Sequence, residues 1–308
     1  MDRSIDTGTI EQFRNLSLIA RQVVEGFIVG LHQSPFHGFS VEFAEHRLYN
    51  SGESIRHIDW KLYGRTDRLY VKRYEEETNL RCRILLDVSS SMYFPEKTKV
   101  AGTDKITFAI HVAAALIYLF RKQRDAFGLT LFSDSPELHT DARSSMAHQK
   151  YLYTELEKYL PPQPKGRKKT TSTVETIHTI ADQIHKRSLV IILSDMLDQT
   201  PADRLADALQ HLRFNKHEVI LFHITDKTTE TDFSFENRPT RFVDLETGGE
   251  VRLNPAEIRN NYRQKITQKW NELTEKCGQY DIDLVEADIR EGFRQVLLPY
   301  LVKREKLY

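Results

Sequence analysis

Cysteine is nearly absent from this chain: two of 308 residues, Cys82 and Cys277. That excludes a disulfide-stapled scaffold and a four-thiolate zinc site. Each cysteine is expected as a small core residue in a reducing compartment. Net charge is absent too, with 44 basic side chains against 44 acidic ones. A general nucleic-acid binder carries a basic excess, so no nucleic-acid partner is expected. The short basic loop from Lys165 to Lys169 reads as solvated surface. Long apolar runs are missing. The longest, Ile106 to Phe120 (ITFAIHVAAALIYLF), falls short of the ~20 residues a membrane span needs, and it carries Thr107 and His111. A buried helix is expected there instead of a membrane span. The N-terminal stretch has no apolar segment followed by a cleavage site, so a cytoplasmic location is expected. There is no Gly-x-x-x-x-Gly-Lys-Ser/Thr loop and no Gly-x-Ser-x-Gly elbow, which excludes a P-loop ATPase and a serine-hydrolase elbow. His46, His57, His111 and His223 lack metal-ligand spacing and read as surface or satisfied core residues.

What is present is an ordinary globular composition, 40% hydrophobic and 29% charged. The length allows one large α/β domain or two modest ones. An amphipathic helix is expected over Thr9 to Val29, with Ile10, Phe13, Leu16, Ile19, Ala20 and Val23 at helical spacing. Alternation at Phe39, Val41 and Phe43, and less strictly at Leu69, Val71 and Tyr74, predicts strands around a polar stretch, Tyr49 to Asp67. From Leu80 onward strand and helix patterns alternate. Short apolar strands such as Arg83 to Asp87 and Ser188 to Ser194 are each followed by, or end in, an acid. Helices are expected over Asp104 to Arg124, with Asp104 as N-cap, and over Pro255 to Cys277, with Pro at the first position. Arg241 to Leu253 reads as a hairpin turning at Gly248-Gly249. The expected fold class is α/β: a doubly wound, mostly parallel sheet flanked by helices, with an N-terminal helix and β extension and a β-hairpin insertion. The expected division is an N-terminal segment, residues 1–79, and an α/β domain, residues 80–308, with the insertion near 240–254.

In such sheets, sites form at the carboxyl ends of the strands. Asp87-Val88-Ser89-Ser90-Ser91 stands there as an Asp-x-Ser-x-Ser turn. One carboxylate and two hydroxyls on alternate loop residues form a hard-oxygen set suited to Mg²⁺ or Mn²⁺. The same residues also serve as ordinary turn caps. Asp195 follows a second buried strand, and Thr170-Thr171-Ser172-Thr173 opens a helix; those hydroxyls are metal-ligand candidates or helix caps.

The order Asp-x-Ser-x-Ser, hydroxyl loop, strand-Asp resembles a von Willebrand factor type A domain with its metal-ion-dependent adhesion site. The resemblance implies that Ser89 and Ser91 bind the metal directly and that Asp87 and Asp195 act largely through water. It also implies a third hydroxyl ligand. That ligand is Ser172 when Val174 takes the apolar position, with Thr171 as its nearest rival. The family loop usually has an acid after its threonine, and none follows here.

Upstream, Arg56-His57-Ile58-Asp59-Trp60-Lys61, Arg65-Thr66 and Val71-Lys72-Arg73-Tyr74-Glu75-Glu76-Glu77 resemble the bacterial domain-of-unknown-function family 58, as does the later Phe242 to Gly249 hairpin. Arg56, Asp59, Lys61, Arg65, Lys72 and Glu77 read as an ion network fixing the N-terminal segment. Alternatively Asp59 and Trp60 form a contact surface. The resemblance implies a non-enzymatic module that binds an acidic residue of a protein ligand through the metal. It implies a MoxR-type AAA+ ATPase as partner, with this chain as adaptor or co-chaperone. The alternative is a metal-dependent phosphoryl-transfer enzyme. Against an aspartyl-phosphate phosphatase, Ser89 stands where a second acid is wanted.

Overall fold

The computed structural model describes residues 15–32, 46–48, 60–72, 80–95, 103–161, 173–196 and 202–306. A six-stranded sheet organises the chain. Its strands are β3 (Arg81–Asp87), β4 (Ala126–Phe132), β5 (Pro136–His139), β6 (Leu189–Ser194), β7 (Glu218–Thr225) and β10 (Asp283–Asp288), in the spatial order β10-β7-β6-β3-β4-β5. All neighbours are parallel except the edge pair β4–β5. Numbered along the chain within this sheet, the order is 3-2-1-4-5-6, the doubly wound arrangement. Its topological switch point falls between β3 and β6.

Strand periodicity divides the core into two layers. Ile84 and Leu86 of β3, Ile191 and Leu193 of β6, and Ile220 and Phe222 of β7 enter one cluster. Their alternates Leu85, Val190, Ile192, Val219 and Leu221 enter the other. The first layer is covered by α1 (Leu16–His32), α3 (Lys105–Lys122), α4 (Met146–Glu157) and α8 (Arg294–Lys306). The second is covered by α5 (Thr173–Gln183), α6 (Ala202–Phe214) and α7 (Pro255–Gln279). Each of these fully buried aliphatic side chains contributes about 1.5–3 kcal/mol relative to exposure.

The long apolar run is the buried helix α3. It begins where Asp104 Oδ1 accepts the Thr107 amide at 2.7 Å, as its capping role requires. It is buried on almost every side, which accounts for its apolar character all round. Leu16, Ile19, Ala20, Val23 and Val24 of α1 pack into the same cluster. Pro255 opens α7, with Asn254 as its N-cap. Cys82 and Cys277 are both buried thiols. No helix among the described residues is long and apolar enough to cross a membrane.

Two antiparallel ribbons complete the fold: β1 (His46–Leu48) with β2 (Tyr70–Lys72), and β8 (Thr240–Val243) with β9 (Glu250–Leu253). The second is the expected hairpin, and Gly248 takes a φ of 75° in its turn, a conformation glycine adopts at no steric cost. The polar stretch between the first pair of strands contains a helix, α2 (Trp60–Thr66). The expected strand at Phe39 to Phe43 and the first residues of the expected N-terminal helix lie outside the described residues.

Candidate metal centre

The carboxyl ends of β3 and β6 are adjacent, because β3 pairs with β6 in parallel through Leu86↔Leu193. Asp87 closes β3 and Asp195 follows β6, so both acids stand at the switch point. The chain leaves β3 through the Val88 amide, which donates to the Phe132 carbonyl at 2.8 Å. It then enters a short 3-10 turn, Ser90–Tyr93. That turn folds the two serines back beside the acid. Asp87, Ser89, Ser91 and Asp195 are all buried, between 0% and 8% exposed.

The Asp87 carboxylate is fixed from both sides. Its Oδ1 accepts the Ser89 amide at 2.9 Å, and its Oδ2 accepts the Ser194 hydroxyl at 2.7 Å. Ser194 Oγ in turn accepts the Met196 amide at 3.0 Å, tying the two strand ends together. Ser89 Oγ and Ser91 Oγ lie 3.0 Å apart. Two neighbouring oxygens bound to one octahedral Mg²⁺ at about 2.1 Å are separated by about 3.0 Å, so the hydroxyl pair is already spaced for one ion.

Lys105, the first residue of α3, is completely buried. Its ammonium donates to Asp195 Oδ2 at 2.8 Å and to Glu230 Oε1 at 2.5 Å, and it lies 5.9 Å from the centre of the Phe94 ring. Burial alone would lower the lysine's pKa, but the charges of Asp195 and Glu230 raise it. Glu230 sits on a π-helical turn, Lys227–Thr231, after β7. Its other oxygen accepts the Thr225 hydroxyl at 3.1 Å and the Asp226 amide at 2.9 Å. Asp226 is itself held by Arg290 through two bonds of 2.8 and 3.0 Å.

The site is therefore rich in negative charge. Asp87, Asp195 and Glu230 gather here, with the Lys105 ammonium bonded to the last two and the Lys269 ammonium donating to the neighbouring Met196 carbonyl at 3.1 Å. The crowding is visible in Asp87: burial first, and the Asp195 charge second, push its carboxyl up to about 7. Burial likewise raises Glu230. Among the described residues no group of three or more His, Cys, Asp or Glu is arranged to hold a metal. The donors at this point are the Ser89 and Ser91 hydroxyls beside the Asp87 carboxylate, hard oxygens of the kind that suit Mg²⁺ or Mn²⁺. The residues present fit such an ion.

The structure brings Asp87, Ser89, Ser91 and Asp195 together as expected. Thr171 and Ser172 lie outside the described residues, as do Arg56, Asp59 and Glu77 of the upstream block. Trp60 and Lys61 lie on α2 and Lys72 on β2. Arg65 is exposed near the end of α2.

Sequence reasoning missed Lys105, Ser194 and Glu230. A lysine at a helix start and a glutamate in a polar run carry no local sign of burial. The two partners of Lys105, Asp195 and Glu230, are 90 and 125 residues away from it. His223 is also more than an ordinary core histidine. It pairs with Ser194 across the sheet and its ring lies 4.9 Å from Trp270. Burial pushes it down to about 4, and its Nδ1 has no hydrogen-bond partner among the described residues.

A family model described as a protein of unknown function, DUF58, matches residues 45–272. Uncharacterized proteins of Mycobacterium tuberculosis and Mycobacterium bovis are each 25% identical over 244 residues, covering 79% of this chain and 69% of theirs. Among solved structures, the conserved hypothetical protein BatB of Bacteroides thetaiotaomicron aligns over 74% of this chain and 100% of its own, with TM-score 0.45 and 13% identity. The SpRpn10 VWA domain aligns over 71% and 93%, with TM-score 0.39 and 12% identity.

Proposed function

The chain belongs to the DUF58 family, and on that footing we propose that it is a non-enzymatic protein-binding module with a divalent-metal centre on Asp87, Ser89, Ser91 and Asp195. Its type A-like α/β fold, with a switch point at β3 and β6, supports an interaction role. The observation that carries the reading is the buried Ser89–Ser91 hydroxyl pair, 3.0 Å apart beside the Asp87 carboxylate. Ser89 and Ser91 would hold the ion directly, Asp87 and Asp195 would balance its charge, and a hydroxyl of Ser172 or Thr171 would complete the set. When bound, Mg²⁺ or Mn²⁺ supplies a positive centre able to accept a carboxylate from a protein ligand. The chain's own residues do the rest. Ser194 and the Ser89 amide orient Asp87, and Lys105 holds Asp195 in place.

Phosphoryl transfer through Asp87 is disfavoured. Both its oxygens accept hydrogen bonds from within the fold, and the residue two positions on is Ser89, not an acid. The partner that the family resemblance implies is a MoxR-type AAA+ ATPase, with this chain as its adaptor in the cytoplasm. The test is binding of the full chain to such an ATPase by calorimetry, with Mg²⁺ or with chelator. Binding that needs metal and is lost in Ser89→Ala/Ser91→Ala supports the reading. Tight binding indifferent to chelator and to both substitutions overturns it.

A further inference from the structure

The opposite end of the same sheet holds a second concentration of charge that the metal centre does not use. A cleft of about 290 Å³ opens at the amino-terminal ends of β3 and β6. It is lined by Arg81, Arg83, His139, Asp141, Gln183 and His185. Six residue steps along β3 lead from Arg81 to Asp87, which at ~3.3 Å per step sets this cleft roughly 20 Å from the candidate metal centre.

Arg83 is the unusual member. It is only 7% exposed, yet among the described residues no carboxylate lies within ion-pair distance of it. One N–H of its guanidinium donates to the Thr140 carbonyl, which is neutral. Of the other partly covered arginines, Arg304 holds Asp125 and Arg213 holds Glu218 and Asp281, whereas the less buried Arg259 donates to neutral oxygens of Phe233, Phe235 and Asn237. The acid nearest to hand, Asp141, is well exposed and pairs instead with Arg143 at 3.4 Å. Burial accordingly lowers the Arg83 pKa, with Asp141 opposing only in part. Breaking a buried ion pair is strongly destabilising, so a guanidinium buried with no counter-ion among the described residues needs another reason to be there.

The surroundings make room for it. Arg83 faces Gly128 across the β3–β4 ladder. A Cβ on Gly128 would stand 2.5 Å from Arg83 Nη1, so glycine at this position is what lets the guanidinium lie in the cleft. A guanidinium has five N–H donors, and Thr140 uses one. Arg81 lies on the same face of β3, two residues away. His139 Nδ1 is 3.0 Å from Thr130 Oγ1, which leaves its Nε2 as the ring's remaining polar atom. The amide of Gln183 adds a neutral donor.

We propose that this cleft is a phosphate-binding site anchored by Arg83, with Arg81 as a second guanidinium on the same anion. Two guanidiniums match a doubly charged phosphate better than a single carboxylate, and the planar fork of Arg83 suits phosphate oxygens. The volume is at the small end of ligand pockets, room for phosphate or a small phosphate monoester but not for a larger ligand.

The test uses the full chain, titrated by calorimetry with inorganic phosphate and with glycerol 3-phosphate at constant ionic strength. Saturable one-to-one binding is expected. Arg81→Gln should weaken it about tenfold, the loss of one charge-assisted contact. Arg83→Met should abolish it while the protein melts at a higher temperature, because an unmatched buried charge is gone. Arg81→Gln lies on an exposed side chain and keeps the test valid should Arg83→Met fail to fold. Ser89→Ala/Ser91→Ala should bind phosphate as the wild type does, which separates this site from the metal centre. Tighter binding of glycerol 3-phosphate identifies a monoester as the ligand, and equal affinities identify free phosphate. No saturable binding of either probe, or binding that Arg81→Gln and Arg83→Met leave unchanged, overturns the proposal.

Discussion

Replacing Asp87 with Asn should stabilise the metal-free protein at alkaline pH. The reason lies in the site's charge. Burial and Asp195 raise the Asp87 carboxyl to about 7, whereas in the unfolded chain an aspartate titrates near ~3.9. A carboxyl whose folded pKa lies above its unfolded one supports the fold fully at acid pH, below about 4. That support is lost as the pH rises through 7. Three pKa units correspond to about 4 kcal/mol, the cost of ionising Asp87 in the metal-free fold at pH 8. Asn keeps the shape and removes that cost. Its Oδ1 can still accept the Ser89 amide, but its amide nitrogen now faces Ser194 Oγ, which has until then donated to Asp87. The hydroxyl proton of Ser194 loses its acceptor, at about 1 kcal/mol. The net expectation is a gain of about 3 kcal/mol at pH 8 and less than about 1 kcal/mol at pH 5. Urea unfolding of both proteins in chelator at the two pH values measures this directly. A variant less stable than wild type at pH 8, or a difference that does not change with pH, would show that Asp87 carries no such ionisation cost.

Two further outcomes follow from the same network and a third from a separate ion pair. Lys105→Met should cost about 3–5 kcal/mol in chelator, because Asp195 and Glu230 stay buried without their ammonium. Excess Mg²⁺ should restore part of that loss in thermal melts, and an identical loss with and without Mg²⁺ would count against the shared charge balance. Mg²⁺ affinity should fall about tenfold per pH unit below 7, as the Asp87 proton competes with the ion; calorimetry at pH 6 and 8 checks it. Far from the site, Arg304→Ala should cost about 3 kcal/mol, because Asp125 is fully buried against that guanidinium. Chemical denaturation would show this with no change in metal affinity.

Much of the architecture can be read from local pattern. The apolar runs of β3 and β6 end in or before an acid, which locates both the sheet and its functional edge. Asp104 marks the start of α3, and Pro255 the start of α7. What escapes is what depends on distant partners. The edge strand β5 is short, antiparallel and half-exposed, with no alternation to betray it. Helix α2 forms in a polar stretch whose flanks read as strands. Four residues of the candidate metal site were legible because Asp-x-Ser-x-Ser is local and a strand-terminal acid is conspicuous. Lys105 and Glu230 were not, because each reads as a solvated charge until the fold brings α3, β6 and the turn after β7 to one point. Arg83 is similar: in the strand sequence it looks like an edge residue, and only its pairing with Gly128 and its burial reveal a site.

The proposed function requires the hydroxyl pair beside Asp87 to hold a divalent ion. The direct measurement is Mg²⁺ titration at pH 8 into metal-free wild type and into Ser89→Ala/Ser91→Ala, with both proteins' melting recorded in chelator. One saturable site in the wild type, absent from a double variant that melts normally, is the expected result. No binding in the wild type, or the same affinity in both, would contradict it.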